Sequence, residues 1–528
     1  MKILPDSIQY LINELSSQSS LTPAMVIKAM KDANVQEVDL LEWTDFEHAL
    51  TDSYGRKMVH KAPNFEVMVM SWCPGDFSAI HDHGHTTWGA VQVFGENEHA
   101  TFRVQDSEIS TLNRTTFDYG QIVGVGHNLI HQMGNATDQN ILTLHVYGVQ
   151  EPVDNVTGDA RLYDLAANKI QIVNGGVFFD LPPEEISQQI EGPEGDFPTK
   201  LRHMVEWGNR IAKSNPADER IEQIKQEISS PEYLQAFQSY LSTIVDREDQ
   251  TNDTAQWNGV NMELKATACF LEQRMGDKDA FHKYAELYDA LICRPCFEDF
   301  MKDYFQFFVQ NFCSNVSGKK MISLGCGTGL VEEQLMKQFQ IPYNNVYGID
   351  FSQSMVEEAR NRIQADQGDI LTLDPAVRTW DIAFSGLNVY QYLDSTKLEK
   401  AIQKTSAILN DEGFFVGDFI TPDHIRWYPN VMRSPDKKII SLRTPRLREV
   451  DGKMFQESEI INVDYSHDEL VINYAGKHRR FLVPIHRVRA YFEKYFNKVL
   501  LLDAISLNEI AEDADTCPST RYVVIAKK

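Results

Sequence analysis

No run of apolar residues in this 528-residue chain approaches the roughly 20 that a membrane-crossing helix needs. Positive charge is also short. Fifty Lys and Arg against 76 Asp and Glu give a formal charge of −26, a field that repels phosphate backbones and anionic lipid surfaces. Neither nucleic acid nor a membrane is an expected partner; small molecules are. Cysteine is scarce. Its seven copies, at 73, 269, 293, 296, 313, 326 and 517, are odd in number and scattered, unlike a secreted disulfide framework. The start M-K-I-L-P-D-S lacks a signal peptide's apolar stretch, so a cytoplasmic protein is expected. Cys293-Arg-Pro-Cys296 has no second C-x-x-C to complete a four-sulfur zinc site, and two thiols without redox or metal duty are expected there. Internal repeats and low-complexity tracts are absent too.

What is present belongs to an ordinary globular protein: 42% hydrophobic and 10% aromatic residues, in a chain long enough for two or three domains. Residues 1–50 carry helical periodicity, with Thr22-Pro23 marking a helix start. From 54 to 150, short alternating runs such as F-E-V-M-V-M-S-W and I-L-T-L-H-V-Y are split by Gly, Asn and Asp, the pattern of a β-sandwich or barrel. Strand-like runs continue to about residue 181. The segment from P-P-E-E-I to about 275 reads as helical and charged, with S-S-P-E-Y-L as an N-cap followed by proline. After 276, hydrophobic strands alternate with helices, which predicts a parallel sheet covered on both faces. The expected division is a β domain over 1–182, a helical connector over 183–275, and an α/β domain over 276–528.

Two constellations stand out. The first is I-H-D-H-G-H-T-T-W-G, with imidazoles at 81, 83 and 85, alternate positions that a strand turns to one face. Such a set is either a solvated or hydrogen-bonded histidine cluster or a metal site. His81-x-His83 preceded by Gly75, and His131-x3-Asn135 later, have the spacings of the two cupin motifs. No carboxylate lies between His83 and Glu96, so an all-imidazole ligand set is implied. The run W-C-P-G-D-F-S-A-I-H-D-H, Tyr54-x-Arg56, H-Q-M-G-N and Thr143-Leu-His145-Val-Tyr147 narrow the resemblance to the thiol dioxygenases, of which cysteine dioxygenase is the best known.

That resemblance implies a cupin barrel in which His81, His83 and His131 hold Fe(II), leaving positions for a thiolate and for dioxygen as co-substrate. Imidazole suits iron, and vacant sites suit oxygen chemistry. It further implies that Arg56, with Tyr54, binds the substrate's carboxylate through a planar, permanently charged fork. Arginine at this position favours cysteine over 3-mercaptopropionate. Thr143, His145 and Tyr147 share one face of a strand and occupy the family's relay positions. Two departures are visible. Thr86-Thr87-Trp88-Gly89 stands where mammalian-type relatives carry a cysteine that crosslinks the tyrosine, and Thr143 replaces a serine. His85 and His127 are expected to ligate nothing directly.

The second constellation is M-I-S-L-G-C-G-T-G, an apolar strand running into Gly325-x-Gly327-x-Gly329, where glycines allow a sharp turn and close backbone approach to a ligand. Asp350 ends the next strand, 25 positions after Gly325, placed for ribose hydroxyls. L-G-C-G-T-G, G-I-D-F-S-Q-S-M, Gly368-Asp369-Ile370 and W-D-I-A-F-S-G-L together resemble class I S-adenosylmethionine-dependent methyltransferases, with a Rossmann-like fold. By that resemblance Gly325, Cys326, Gly327 and Gly329 meet the cofactor's methionyl part, Asp350 its ribose, and Asp369 and Ile370 its adenine, while Tyr284 and Tyr288 close over it. Residues of about 422–485 form an expected small antiparallel β lid, whose Arg426, Arg433, Arg479 and Arg480 are either solvated charges or holders of an anionic methyl acceptor.

The expected protein is thus bifunctional: iron-dependent dioxygenation of a small carboxylate-bearing thiol to its sulfinate, joined to S-adenosylmethionine-dependent methylation of a related small molecule. Two alternatives stand beside it. In one, a non-catalytic, metal- or thiol-sensing cupin regulates the methyltransferase. In the other, the C-terminal half binds S-adenosylmethionine without transferring methyl.

Overall fold

The structure is a computed structural model that describes residues 4–246, 254–271, 281, 285–376, 378–428, 430–434, 438–450, 452–464 and 471–528. The chain divides into two compact units, Met1–Leu271 and Glu272–Lys528.

The first unit begins with helices α1 (Asp6–Ser16) and α2 (Pro23–Ala33). As the sequence predicts, Thr22 accepts the Met25 N–H and Pro23 opens α2, since proline's missing N–H costs nothing in a first turn. Strands β1 (Gly55–Lys61), β2 (Phe65–Trp72), β3 (Trp88–Phe94), β4 (Asn97–Gln105), β5 (Glu108–Phe117), β6 (Ile122–Gly126), β7 (Ile130–Gly134), β8 (Ile141–Gly148), β9 (Ala160–Asp164), β10 (Lys169–Val173), β11 (Ile186–Glu191) and β12 (Glu194–Gly195) follow. They pair in the orders β1-β2-β8-β3-β6, β12-β5-β4-β7 and β11-β10-β9.

β2 and β8 are buried along their whole length, and period-two alternation explains how. Phe65, Val67, Val69, Leu142, Leu144 and Val146 pack outward against α1 and α2. Met68, Met70, Trp72 and Tyr147 point inward.

The segment read as helical from 183 differs at its start. Residues 186–191 form β11 antiparallel to β10, and 194–195 form β12 parallel to β5. The hydrogen-bonding edges of β10 and β5 capture this stretch even though most of its side chains are exposed. Helices then follow: α3 (Phe197–Ser214), α4 (Glu219–Ile228), α5 (Pro231–Asp246) and α6 (Thr254–Phe270). The Ser230 hydroxyl caps α5 by accepting the Tyr233 N–H. These helices belong to the same unit as the barrel. Arg202 of α3 bonds Glu98 of β4 at 2.7 Å and Glu206 one turn along, while Arg114 of β5 bonds Glu98 at 2.7 Å, all of them buried.

In the second unit, α7 (Ala285–Tyr288), α8 (Arg294–Cys296) and α9 (Lys302–Phe312) are joined by π-helical turns. Cys293 and Cys296 lie in this run as free thiols. Strands β13 (Met321–Leu324), β14 (Val346–Asp350), β15 (Gln364–Gln367), β16 (Trp380–Ser385) and β17 (Leu409–Ile420) alternate with α10 (Leu330–Phe339), α11 (Gln353–Ala359) and α12 (Ser395–Ile408).

The lid strands β18 (Val431–Arg433), β19 (Ile439–Val450), β20 (Lys453–Asp464) and β21 (Val471–Phe481) form an antiparallel sheet, followed by α13 (Ile485–Glu493), β22 (Lys498–Asp503) and β23 (Arg521–Lys527). The main sheet has the order β15-β14-β13-β16-β17-β23-β22. It departs from the expected parallel sheet at one edge, where β23 runs antiparallel to both β17 and β22. A parallel neighbour needs a helical crossover, and residues 504–520 contain no helix.

Candidate functional site

In the first unit, His81 and His131 face each other across an antiparallel bridge, each backbone N–H bonding the other's carbonyl at 3.0 and 2.9 Å. Cross-strand partners share a face, and His83, two residues along, joins them. The three rings are buried, their candidate ligand nitrogens all within 4.8 Å of one another, and their centroids 4.6 to 5.3 Å apart.

The hydrogen bonds set the tautomers. His81 Nδ1 donates to the Ala79 carbonyl at 2.8 Å, which leaves its Nε2 bearing a lone pair. His131 Nδ1 meets Nε2 of His99 at 2.9 Å. Nε2 of His131 and both ring nitrogens of His83 are buried with no hydrogen-bond partner, a costly state for nitrogens without a ligand. Burial pushes His81 down to about 4 and His83 and His131 well below the usual imidazole range, so all three are neutral donors near pH 7. A carboxylate-free cluster of neutral imidazoles fits a borderline transition metal such as ferrous iron.

The cavity beside them has a volume of about 40 Å³, and Tyr54, Arg56, Trp72, His145 and Tyr147 are among the residues lining it. Arg56 Nη2 donates to Thr157 Oγ1 at 3.1 Å, and Thr157 leans on the buried Glu66 at 3.3 Å. Arg56 forms no ion pair among the described residues. The Tyr54 ring packs at a tilt with its centroid 4.4 Å from that of Trp72, and its hydroxyl accepts the Val177 N–H.

The relay has a direction. Trp72 Nε1 can only donate, and it gives its proton to Thr143 Oγ1 at 2.9 Å. The buried threonine hydroxyl then donates to His145 Nε2 at 2.7 Å, and His145 Nδ1–H donates to the Tyr147 oxygen at 2.8 Å. Burial, reinforced by Arg56, holds His145 near 3 and therefore neutral. Burial drives the Tyr147 phenol far above its usual range, and its own proton is left to point into the cavity.

Every sequence-predicted residue of this site lines the cavity except Thr143, which buttresses it from behind. His85 instead pairs at the surface with Asp159 at 3.2 Å, and His127 bonds the Thr86 carbonyl. Trp72 and His99 were not singled out in the sequence. Trp72 lies inside the quoted dioxygenase-like run, whereas His99 sits on a strand whose pairing with β7 brings it to His131.

In the second unit, a cavity of about 500 Å³ is lined by Tyr288, Gly325, Gly327, Asp350, Asp369 and Ile370 among others. Gly325, Gly327 and Gly329 all have positive φ, the left-handed region that favours glycine. A Cβ on Gly327 would meet only Tyr288, at 3.7 Å, whereas one on Gly325 would strike Val389 at 2.4 Å. Gly327 therefore leaves an open cradle on the cavity side. Asp350 accepts the Gly327 and Ser352 N–H groups at 2.8 and 2.9 Å.

Cys326 and Gly329 do not line the cavity. The Cys326 side chain packs against Gly348 in the core, and Gly329 caps α10. Tyr284 lies outside the described residues. Phe351, missed in the sequence, lines the cavity with 69% of its surface exposed.

Residues 5–157 match the family described as cysteine dioxygenase type I, and residues 322–413 match the methyltransferase domain family. Similar solved structures include a methyltransferase from Clostridium acetobutylicum that uses S-adenosylmethionine. It is 19% identical, covers 47% of this chain and 98% of its own, and has a TM-score of 0.37. An amino pentose methyltransferase from Micromonospora echinaspora is 16% identical over 43% of this chain and 90% of its own, with a TM-score of 0.33. The CcbJ methyltransferase from Streptomyces caelestis is 14% identical over 48% and 98%, with a TM-score of 0.37. The chain therefore joins a cysteine dioxygenase type I domain to a methyltransferase domain, two families of enzymes in one polypeptide.

Proposed function

We propose that the first unit dioxygenates a small carboxylate-bearing thiol, cysteine or a close relative, to the sulfinate, and that the second transfers methyl from S-adenosylmethionine to a small molecule. One observation carries the first half: three buried imidazoles with neighbouring ligand nitrogens, and a guanidinium without an ion pair among the described residues, line one small cavity. His81, His83 and His131 would hold ferrous iron, which supplies adjacent positions for the thiolate and for dioxygen.

The chain's own groups do the rest. Arg56 receives the carboxylate bidentately and fixes the sulfur's reach. Met68, Met70, Trp72, Met133 and Val177 exclude water from the cavity. Tyr147, oriented by Trp72, Thr143 and His145, offers its hydroxyl proton to the reacting oxygens. The balance is thiolate plus dioxygen giving sulfinate, with both oxygen atoms retained and no external reductant.

In the second unit, Gly327 gives the cofactor a close backbone approach, Asp350 receives its ribose, and Asp369 and Ile370 border its adenine. Methyl passes from the sulfonium to the acceptor as the acceptor's proton leaves, and S-adenosylhomocysteine is released.

Mass spectrometry of products from the Fe(II)-loaded full chain with cysteine, labelled dioxygen and S-adenosylmethionine tests both halves. Two labelled oxygens on one sulfur support the first, and S-adenosylhomocysteine released with a methylated product supports the second. Metal binding without thiol-dependent oxygen consumption would overturn the dioxygenase reading.

A further inference from the structure

We infer that the methyl acceptor is a small acid, carboxylate or sulfinate, received in the second cavity beside Tyr392 and His478, behind which the Arg480 guanidinium stands with no carboxylate partner among the described residues. The inference deepens the methyltransferase reading and rests on it.

The structure sorts the lid arginines. Arg426 is exposed and pairs with Asp423 at 3.2 Å. Arg446, Arg448, Lys477 and Arg479 converge on the one carboxylate of Glu457, at 3.3, 3.6, 3.4 and 2.8 Å, so cations outnumber the acid there. Lys477 and Arg479 also line the cavity. Arg480 differs from them. It does not itself line the cavity, it makes no ion pair among the described residues, its hydrogen bonds go to the phenols of Tyr392 and Tyr428, and its guanidinium lies over both rings at 5.2 and 5.7 Å. An uncompensated guanidinium in such a place calls for an anion.

The neighbouring hydrogen bonds have a compatible polarity. Tyr392, which lines the cavity, accepts from Arg480 Nη2 at 3.2 Å. The same phenol oxygen lies 3.2 Å from His478 Nδ1, which ties the imidazole to Arg480 through one hydroxyl. Burial alone would push the Tyr428 phenol up, but Arg443 and Arg480 outweigh it and bring it down to about 8, the mark of a strongly positive locale. The same cavity carries the carboxylates of Asp350 and Asp369. In a chain of net charge −26, this cavity sets two carboxylates for the cofactor beside a concentration of lid cations suited to an anionic acceptor.

Hydrogen–deuterium exchange of the segment 471–481 tests this, in the full chain saturated with S-adenosylhomocysteine. The probes are malonate and L-cysteine sulfinate, with malonamide as the neutral control. Both anions are expected to slow exchange and malonamide is not. The protection is expected to be lost in Arg480→Gln and partly kept in Arg480→Lys, with S-adenosylhomocysteine affinity unchanged in both. Equal protection by malonamide, no protection by either anion, or protection that survives in Arg480→Gln would overturn the inference while leaving the methyltransferase reading standing. Failure of S-adenosylhomocysteine to bind the native chain would overturn both.

Discussion

Arg56 is held by a threonine hydroxyl rather than by a carboxylate, so its charge stays available to a substrate acid. Charge-assisted hydrogen bonds contribute about 1.5–3 kcal/mol, and Arg56→Gln is expected to raise KM for cysteine roughly ten- to hundredfold in oxygen-uptake assays, with iron content unchanged. His99 acts one step further out, through Nδ1 of His131. Loss of such an outer partner costs about 10–100-fold in metal affinity. His99→Ala is therefore expected to weaken Fe(II) binding by that factor in a competition titration with a chelator, with the fold retained. Positions 81 and 83 were expected on a strand, but lie in irregular backbone around the isolated bridge of His81 with His131; that 143, 145 and 147 share a face was legible in the sequence, because they alternate along β8. His99 and the role of Trp72 were not. Each reaches the site through pairing between strands far apart in sequence, β4 with β7 and β2 with β8, which no local pattern encodes.

At the scale of elements, α3 does more than connect. Its Arg202 and Glu206 share a buried ion network with Glu98 and Arg114, and Glu206 also accepts from Gln132, the residue after His131. Removing one member leaves buried charge uncompensated, at a cost of about 3–5 kcal/mol. Arg202→Ala is expected to lower the first unit's unfolding free energy by that amount in urea titrations, and to reduce its iron occupancy because β7 loses its brace. The helices of 197–270 were legible from periodicity and caps. The strands at 186–195 were not, since their exposed polar side chains carry no period-two signal and only backbone pairing with β10 and β5 defines them. The antiparallel edge at β23 was likewise hidden, because strand direction depends on how the chain returns rather than on the strand's own residues.

For the whole molecule, each unit has its own hydrophobic clusters and its own sheet system. Expressed separately, residues 1–271 are expected to fold and keep thiol-dependent oxygen uptake at about the full chain's rate, while losing all release of S-adenosylhomocysteine; an inactive or unfolded fragment would contradict that autonomy. The two cavities differ in scale, about 40 Å³ against about 500 Å³. A water-sized probe fills roughly 10–15 Å³, so the barrel's interior admits only a handful of heavy atoms. Space on that scale favours a small thiol over the same sulfur-bearing residue inside a peptide, so oxygen uptake with glutathione is expected to fall far below that with cysteine. On the proposed dioxygenase reading, the barrel wall is expected to turn peptide-bound thiols away by girth, before any charge is consulted.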